Sequence, residues 1–165
     1  MKRAIAALCL AITCAWIPAA HARVTEEGSS GQSISIKSST LAKKSNVSVT
    51  GKNFDETVGI YLAYCVVPKA GNPPTPCGGG INKEGIGTSS LWISSNAPPY
   101  AEGLAEPFLP GGRFTKQVLV SKKIGAFDCT KVKCAITVRA DHLREGDRTH
   151  DLYIPITFKN QTSKN

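Results

Sequence analysis

The sequence predicts an all-β chain, an antiparallel β-sandwich of about seven strands with two local disulfides. Three observations predict it: recurrent two-residue hydrophobic alternation, turn signals between the alternating runs, and four cysteines beyond an apolar leader. Successive side chains of a strand point to opposite faces, so alternating apolar residues line one face. Ile34 and Ile36, Val47 and Val49, Ile60 to Val66, Val118 and Val120, Ile136 to Ala140, and Leu152 to Phe158 all read this way. Between them stand Gly51-Lys52-Asn53, Gly71-Asn72-Pro73-Pro74, Pro110-Gly111-Gly112 and Glu145-Gly146-Asp147. No helical pattern of useful length intervenes, which is the mark of a sandwich, although closed barrels share it.

Individual segments sharpen this reading. Pro155 falls within the last alternating run, where a missing amide donor suits an edge strand or a bulge rather than a central ladder. Residues 78–108 read as a loop-rich insert that opens on Gly78-Gly79-Gly80 and contains Ala97-Pro98-Pro99-Tyr100. That insert also holds Trp92, Tyr100 and Phe108, more aromatic surface than a connector needs, so it either packs over one end of the sandwich or lines a binding surface. Residues 23–32 and 159–165 are polar or small and read as frayed ends.

The first residues follow the three-part pattern of a secretory leader: Lys2 and Arg3, an apolar run from Ala4 to Ile17, and the small-residue triplet Ala20-His21-Ala22. The run is shorter than the roughly 20 residues needed to span a bilayer. Cleavage after Ala22 leaves 143 of the 165 residues, a length that fits one domain, 23–165. It removes Cys9 and Cys14 and leaves Cys65, Cys77, Cys129 and Cys134. An even cysteine count in an exported chain reads as disulfides, and the local pairs Cys65 with Cys77 and Cys129 with Cys134 are favoured because turn-forming residues separate each. No Cys-x-x-Cys knuckle supports zinc. The expected location is extracellular, with association to the cell wall as an alternative.

The formal charge of +8 becomes +6 without Lys2 and Arg3. Its cations are dispersed rather than clustered, which argues against sequence-specific nucleic-acid recognition and fits loose attraction to an anionic envelope polymer. No Gly-x-Ser-x-Gly elbow, phosphate loop or free mature cysteine points to catalysis, and nothing calls for a cofactor. The pairs Asp141-His142 and His150-Asp151 bracket the last turn, and His142 and His150 would be weak metal or haem ligands if the hairpin brought them together. Two ligands are few for a tight site. A charged hairpin tip, with Arg139, Arg144 and Arg148 pairing the aspartates, is the expected arrangement.

The segment Phe127-Asp128-Cys129-Thr130-Lys131-Val132-Lys133-Cys134, followed by the strand to Arg139 and Ala140-Asp141, resembles the neocarzinostatin-like family. Its members are secreted actinobacterial sandwiches of immunoglobulin-like topology that carry an enediyne chromophore. The resemblance, over most of residues 33–158, implies an immunoglobulin-like fold and the same two disulfides. It breaks where function is concerned: the family's aromatic hairpin before the short disulfide is replaced by Ser121-Lys122-Lys123-Ile124-Gly125, and residues 78–108 are inserted. The enediyne role therefore does not transfer. The expectation is a non-enzymatic binding protein for a hydrophobic or planar small molecule, with Val67, Trp92, Tyr100 and Phe108 as candidate contacts. A surface protein that binds anionic polymer or a protein partner is the alternative.

Overall fold

A computed structural model describes residues 22–78 and 88–159. The expected leader, apart from Ala22, lies outside the described residues, as do 79–87 of the insert and 160–165. Twelve strands and two short 3-10 turns, Pro99–Ala101 and His142–Arg144, make up the described chain. One sheet has four strands in the order β1 (Val24–Glu27), β2 (Ser33–Ile36), β4 (Ser45–Lys52), β8 (Phe114–Val120). The other has six, in the order β3 (Thr40–Leu41), β12 (Leu152–Phe158), β11 (Cys134–Ala140), β5 (Ile60–Val66), β6 (Ser90–Ile93), β7 (Ala105–Glu106). β9 (Lys123–Ile124) and β10 (Phe127–Asp128) form a small ribbon beside the short disulfide.

The two sheets bury their facing side chains against one another. From the smaller sheet come Ile34, Ile36, Val47, Val49, Phe114, Val118 and Val120, and from the larger come Ile60, Leu62, Tyr64, Ile136, Val138, Leu152, Ile154 and Ile156. These are the alternating positions, and each fully buried aliphatic side chain contributes about 1.5–3 kcal/mol. Gly51 sits opposite Phe114 in the β4–β8 register, and any Cβ there would collide with the Phe114 ring. Both local disulfides form, Cys65 to Cys77 and Cys129 to Cys134.

Two expectations need correction. Residues 23–32 are not simply frayed: Val24–Glu27 pair with β2 from Val24↔Ile36 to Glu27↔Ser33, and the Arg23 guanidinium donates to Ser35 and Thr50. Polar, outward side chains hid this strand, because its stability comes from backbone pairing. The insert is also less loop-like than its composition implies. Ser90–Ile93 pairs antiparallel with β5 and has all four residues buried, and Ala105–Glu106 pairs parallel with it. A strand covered on both faces shows no alternation, so its short apolar run carries no period.

Pro155 lies opposite Ala135 in the β11–β12 ladder. The amides of Thr157 and Lys159 donate away from β11, to the carbonyls of Ser39 and Leu41. By the two-residue period of a strand, position 155 faces the same way, beyond the end of β3. Its absent donor thus falls on the stretch of β12 that β3 leaves unpaired, with the β11–β12 register unbroken, although β3 and not β12 is the edge strand.

Turns are held by a repeated device. In Asp55-Glu56-Thr57, Asp128-Cys129-Thr130 and Asp147-Arg148-Thr149 the aspartate Oδ1 accepts from both the amide and the hydroxyl of the threonine two residues on. These bonds hold each carboxyl below its ordinary value of 3.8. Glu56 then ties its turn to a distant loop by accepting from the amides of Gly111 and Gly112.

Gly112 has φ +60°, and a Cβ would fall inside the backbone of Phe54, whose amide donates to the Gly112 carbonyl. Gly112→Ala is expected to cost about 2–4 kcal/mol of unfolding free energy in urea titration, because strain and a backbone clash coincide. A second expectation follows from the lowered aspartates, whose contribution is present above about pH 4 and is lost as pH falls through the folded value. The stability difference between the wild type and Thr130→Val, followed by denaturation from pH 7 to pH 2, should be largest at neutral pH and vanish at the acid end.

Candidate functional site

The outer face of the six-stranded sheet, away from the sandwich core, is where the unusual chemistry collects. In β5 and β11 the core residues alternate with Tyr61, Ala63 and Cys65, and with Ala135, Thr137 and Arg139, all of them buried. The register sets Trp92 opposite Tyr61 and Tyr61 opposite Arg139. Small residues continue this face beyond that row, with Ala63 opposite Thr137 and Cys65 opposite Ala135. Thr137 settles its hydroxyl on the Ala63 carbonyl at 3.2 Å.

Trp92 is only 2% exposed and packs with Tyr61 beneath Ala97, Ala101, Leu104 and Ala105. Its indole Nε1 donates to Asp141 Oδ2 at 2.9 Å, while Asp141 Oδ1 accepts from the Leu143 amide at 2.9 Å. Asp141 is buried as well, and its own amide donates to the Gly59 carbonyl. Gly59 must lack a side chain, since a Cβ would meet the Asp141 carboxylate. One carboxylate therefore joins the insert, the β11–β12 connection and the start of β5.

His142 completes the cluster. Its Nδ1 lies 2.6 Å from the Tyr61 hydroxyl and its Nε2 lies 2.8 Å from the Tyr100 hydroxyl. Both ring nitrogens are thus engaged, and which tyrosine donates follows from the protons the ring carries. The ring stands edge-on to Trp92 at 4.9 Å. Tyr100, by contrast, is 62% exposed and rides on a short flap. That flap turns through Pro98, the Pro99–Ala101 3-10 turn and Gly103 at φ +74°.

Beside the aromatics lies a charged group. The Arg139 guanidinium sits 5.5 Å from the centre of the Tyr61 ring. Asp151 Oδ2 accepts from Arg148 at 3.2 Å and from the Tyr153 hydroxyl at 3.1 Å, and its Oδ1 has no hydrogen-bond partner among the described residues. Burial raises the Asp151 carboxyl, and burial followed by the Asp151 charge pushes Tyr153 up to about 12. Tyr61 also rises to about 12, chiefly through burial and then through Asp141. Next to these residues a hollow of about 440 Å³ is lined by Val67, Lys69, Asn72, Arg148, Asp151 and Tyr153.

The candidate contacts are thus distributed over several places. Trp92 and Tyr100 meet in the aromatic cluster, with ring centres 6.4 Å apart. Val67 lines the hollow on the β12 side. Phe108 lies in the sandwich core, 6.0 Å from Phe54 and 6.4 Å from Phe114. His142 and His150 have different partners, since His150 faces Asp147 at 3.3 Å and Thr149 at 3.0 Å. No group of three or more metal-ligating side chains occurs among the described residues.

The hairpin-tip expectation is corrected in part. Arg148 pairs with Asp151, but Asp141 is a buried acceptor rather than a surface charge, and neither Arg139 nor Arg144 pairs with an aspartate among the described residues. Sequence reading passed over Tyr61 and assigned Arg139 to the hairpin tip rather than to this face. The available signal was their position: each occupies the slot between core residues of an alternating run, where a small or solvated side chain would suffice.

No protein-family model matches the chain, and no curated protein does. Among solved structures, macromomycin aligns with a TM-score of 0.47 and 17% identity, over 78% of this chain and 99% of its own. Macromomycin is a member of the neocarzinostatin family, which the short-disulfide segment resembles. At that distance the likeness says nothing of what this chain binds.

Asp141→Asn replaces a charged double acceptor with an amide whose NH2 must face either the indole or the Leu143 donor. An unfolding penalty of about 1–3 kcal/mol is expected, together with a shift in Trp92 emission. Gly59→Ala should produce the same emission shift by displacing the carboxylate, and unchanged emission in both variants would contradict the arrangement.

Proposed function

We propose that this protein is an exported, non-enzymatic binder of a planar, largely apolar small molecule, held on the outer face of the six-stranded sheet beneath the Tyr100 flap. The observation that carries the reading is the placement of Trp92, Tyr61, Tyr100 and His142 on a face the sandwich core does not use. A sandwich needs apolar residues only between its sheets, and its outer faces are ordinarily solvated. Here aromatic rings and polar anchors converge at one end of that face, and a separate hollow of about 440 Å³, lined by Val67, Arg148, Asp151 and Tyr153 and by none of the four rings, lies on its β12 side.

The flap supplies the route of entry. It covers Trp92 mainly with the small side chains of Ala97, Ala101 and Ala105 and with Leu104, and Tyr100 fastens it through one hydrogen bond to His142. A flat ligand replaces those modest contacts with stacking on Trp92 and Tyr61. The ordered imidazole and carboxylate behind the rings hold the platform still, which reduces what binding costs in lost freedom.

Energy transfer to N-phenyl-1-naphthylamine tests this reading, with Trp92 isolated as donor by comparison with Trp92→Phe. Saturable transfer is expected, and Tyr100→Ala should change the affinity at least about threefold by altering the flap. No transfer from Trp92, or transfer indifferent to Tyr100, would overturn the assignment.

A second reading has its own observation. A groove of about 670 Å³ along the smaller sheet is lined by Arg23, Lys37, Ser38, Asn46, Ser48 and Gln117, with no carboxylate and no aromatic residue in its lining. That surface suits an anionic polymer. Co-sedimentation with polyphosphate-coated beads that weakens steeply between 50 and 300 mM salt, and weakens further in Arg23→Ala/Lys37→Ala, is its expected outcome.

A further inference from the structure

The aromatic cluster does not account for Arg139. This side chain is 4% exposed and lies on the outer face of β11, between Tyr61 on β5 and the Asp151 region at the start of β12. It makes no hydrogen bond or ion pair with any described residue. A guanidinium carries five donors and stays charged, and such a group is seldom buried unless an acceptor faces it. Of the acids nearby, Asp141 holds Trp92 and Leu143 and Asp151 Oδ2 holds Arg148 and Tyr153, while Asp151 Oδ1 is unpartnered but makes no ion pair with Arg139. Its surroundings worsen the mismatch, because burial and then the like charge of Arg148 both disfavour its cation, with Glu145, Tyr61 and Asp151 only partly offsetting them.

The missing partner can come from outside. The nitrogens of Arg139 are not among the unpartnered polar atoms sealed fully from solvent. We infer that the ligand of the outer face is an acid: a planar aromatic or conjugated molecule whose carboxylate or sulfonate group is received by Arg139 while its rings lie against Tyr61 and Trp92. The inference rests on the outer face being the binding surface, and it adds the chemistry of the ligand's polar end. A planar anion suits this pairing on two counts. Guanidinium matches a carboxylate or sulfonate in fork geometry, and the charge-assisted bonds strengthen when water is excluded. The Tyr61 ring, 5.5 Å from the guanidinium, holds the fork beside the aromatic platform.

The test uses two probes that share one ring system. 8-Anilino-1-naphthalenesulfonate carries a sulfonate, and N-phenyl-1-naphthylamine is the same skeleton without it. Both are titrated into the wild type, Arg139→Met, Arg139→Lys and the exposed-charge control Lys52→Met, with transfer from Trp92 as the readout and urea unfolding as the check on folding. The wild type should bind the sulfonate at least about tenfold tighter than the neutral probe, as expected for a charge-assisted contact. Arg139→Met should bring the ratio close to one without weakening the neutral probe, Arg139→Lys should retain part of the preference, and Lys52→Met should retain all of it.

Equal affinities in the wild type, a preference that survives Arg139→Met, or a preference equally reduced by Lys52→Met would each overturn the acid assignment while leaving the aromatic site in place. Failure of both probes to draw transfer from Trp92 would remove the binding surface itself, and the assignment with it. Should Arg139→Met not fold, the wild-type ratio and Arg139→Lys still decide the matter, since a ratio near one in the wild type is sufficient to reject it.

Discussion

Strands β5, β6 and β11 are buried on both faces, and much of the chain outside the sandwich core exists to meet that condition. The inner face is covered by the four-stranded sheet, as in any sandwich. The outer face is covered over Tyr61 and Trp92 by the flap between β6 and β7, over Ala63 and Cys65 by Cys77, and at one end by the connection from β11 to β12. A buried polar atom costs free energy unless it is hydrogen-bonded. Outer-face groups such as the Trp92 indole therefore depend on the partners that these loops deliver. Asp141 is the point at which the condition is met most economically, with one carboxylate serving an indole, a backbone amide and the close approach of Gly59.

This arrangement explains which parts of the molecule could be read in advance. The sandwich core is written as period-two alternation in Ile60 to Val66, Ile136 to Ala140 and Leu152 to Phe158, because one face of each run meets a wholly apolar environment. Both disulfides were legible from the turns between their cysteines. The outer face was not, since its residues occupy the remaining slots of the same runs, where Tyr61, Ala63, Thr137 and Arg139 present no common chemical type. Nothing local distinguishes a Tyr61 that meets solvent from one that meets His142 81 residues away. Trp92 and Tyr100 drew notice because large aromatics are costly to expose, whereas Phe108 drew it for the same reason and is placed in the core. Size alone marks a residue as needing a partner without saying which.

The separation of roles has a consequence for how the protein tolerates change. Core positions answer to volume, so substitutions there act through packing and cavities. Outer-face positions answer to hydrogen-bond complementarity, where loss of one partner strands another: removing Asp141 leaves the Trp92 and Leu143 donors, and removing His142 leaves two tyrosine hydroxyls. The flap itself is held by Leu104, a few alanines and the Tyr100–His142 hydrogen bond, and it lies outside the sandwich core.

Pro155 bears on the life of such a scaffold at high concentration. A sheet edge with free amides invites a second chain to add a strand, which is the usual beginning of β-aggregation. The outermost long strand of the larger sheet is shielded by β3 only at Thr157 and Phe158, and the stretch before it is where a foreign strand would dock. A proline there removes the donor such a strand would need, and its ring stands in the way. The residue that looked like an interruption in the final strand thus removes a donor from the part of the larger sheet's edge that β3 leaves uncovered.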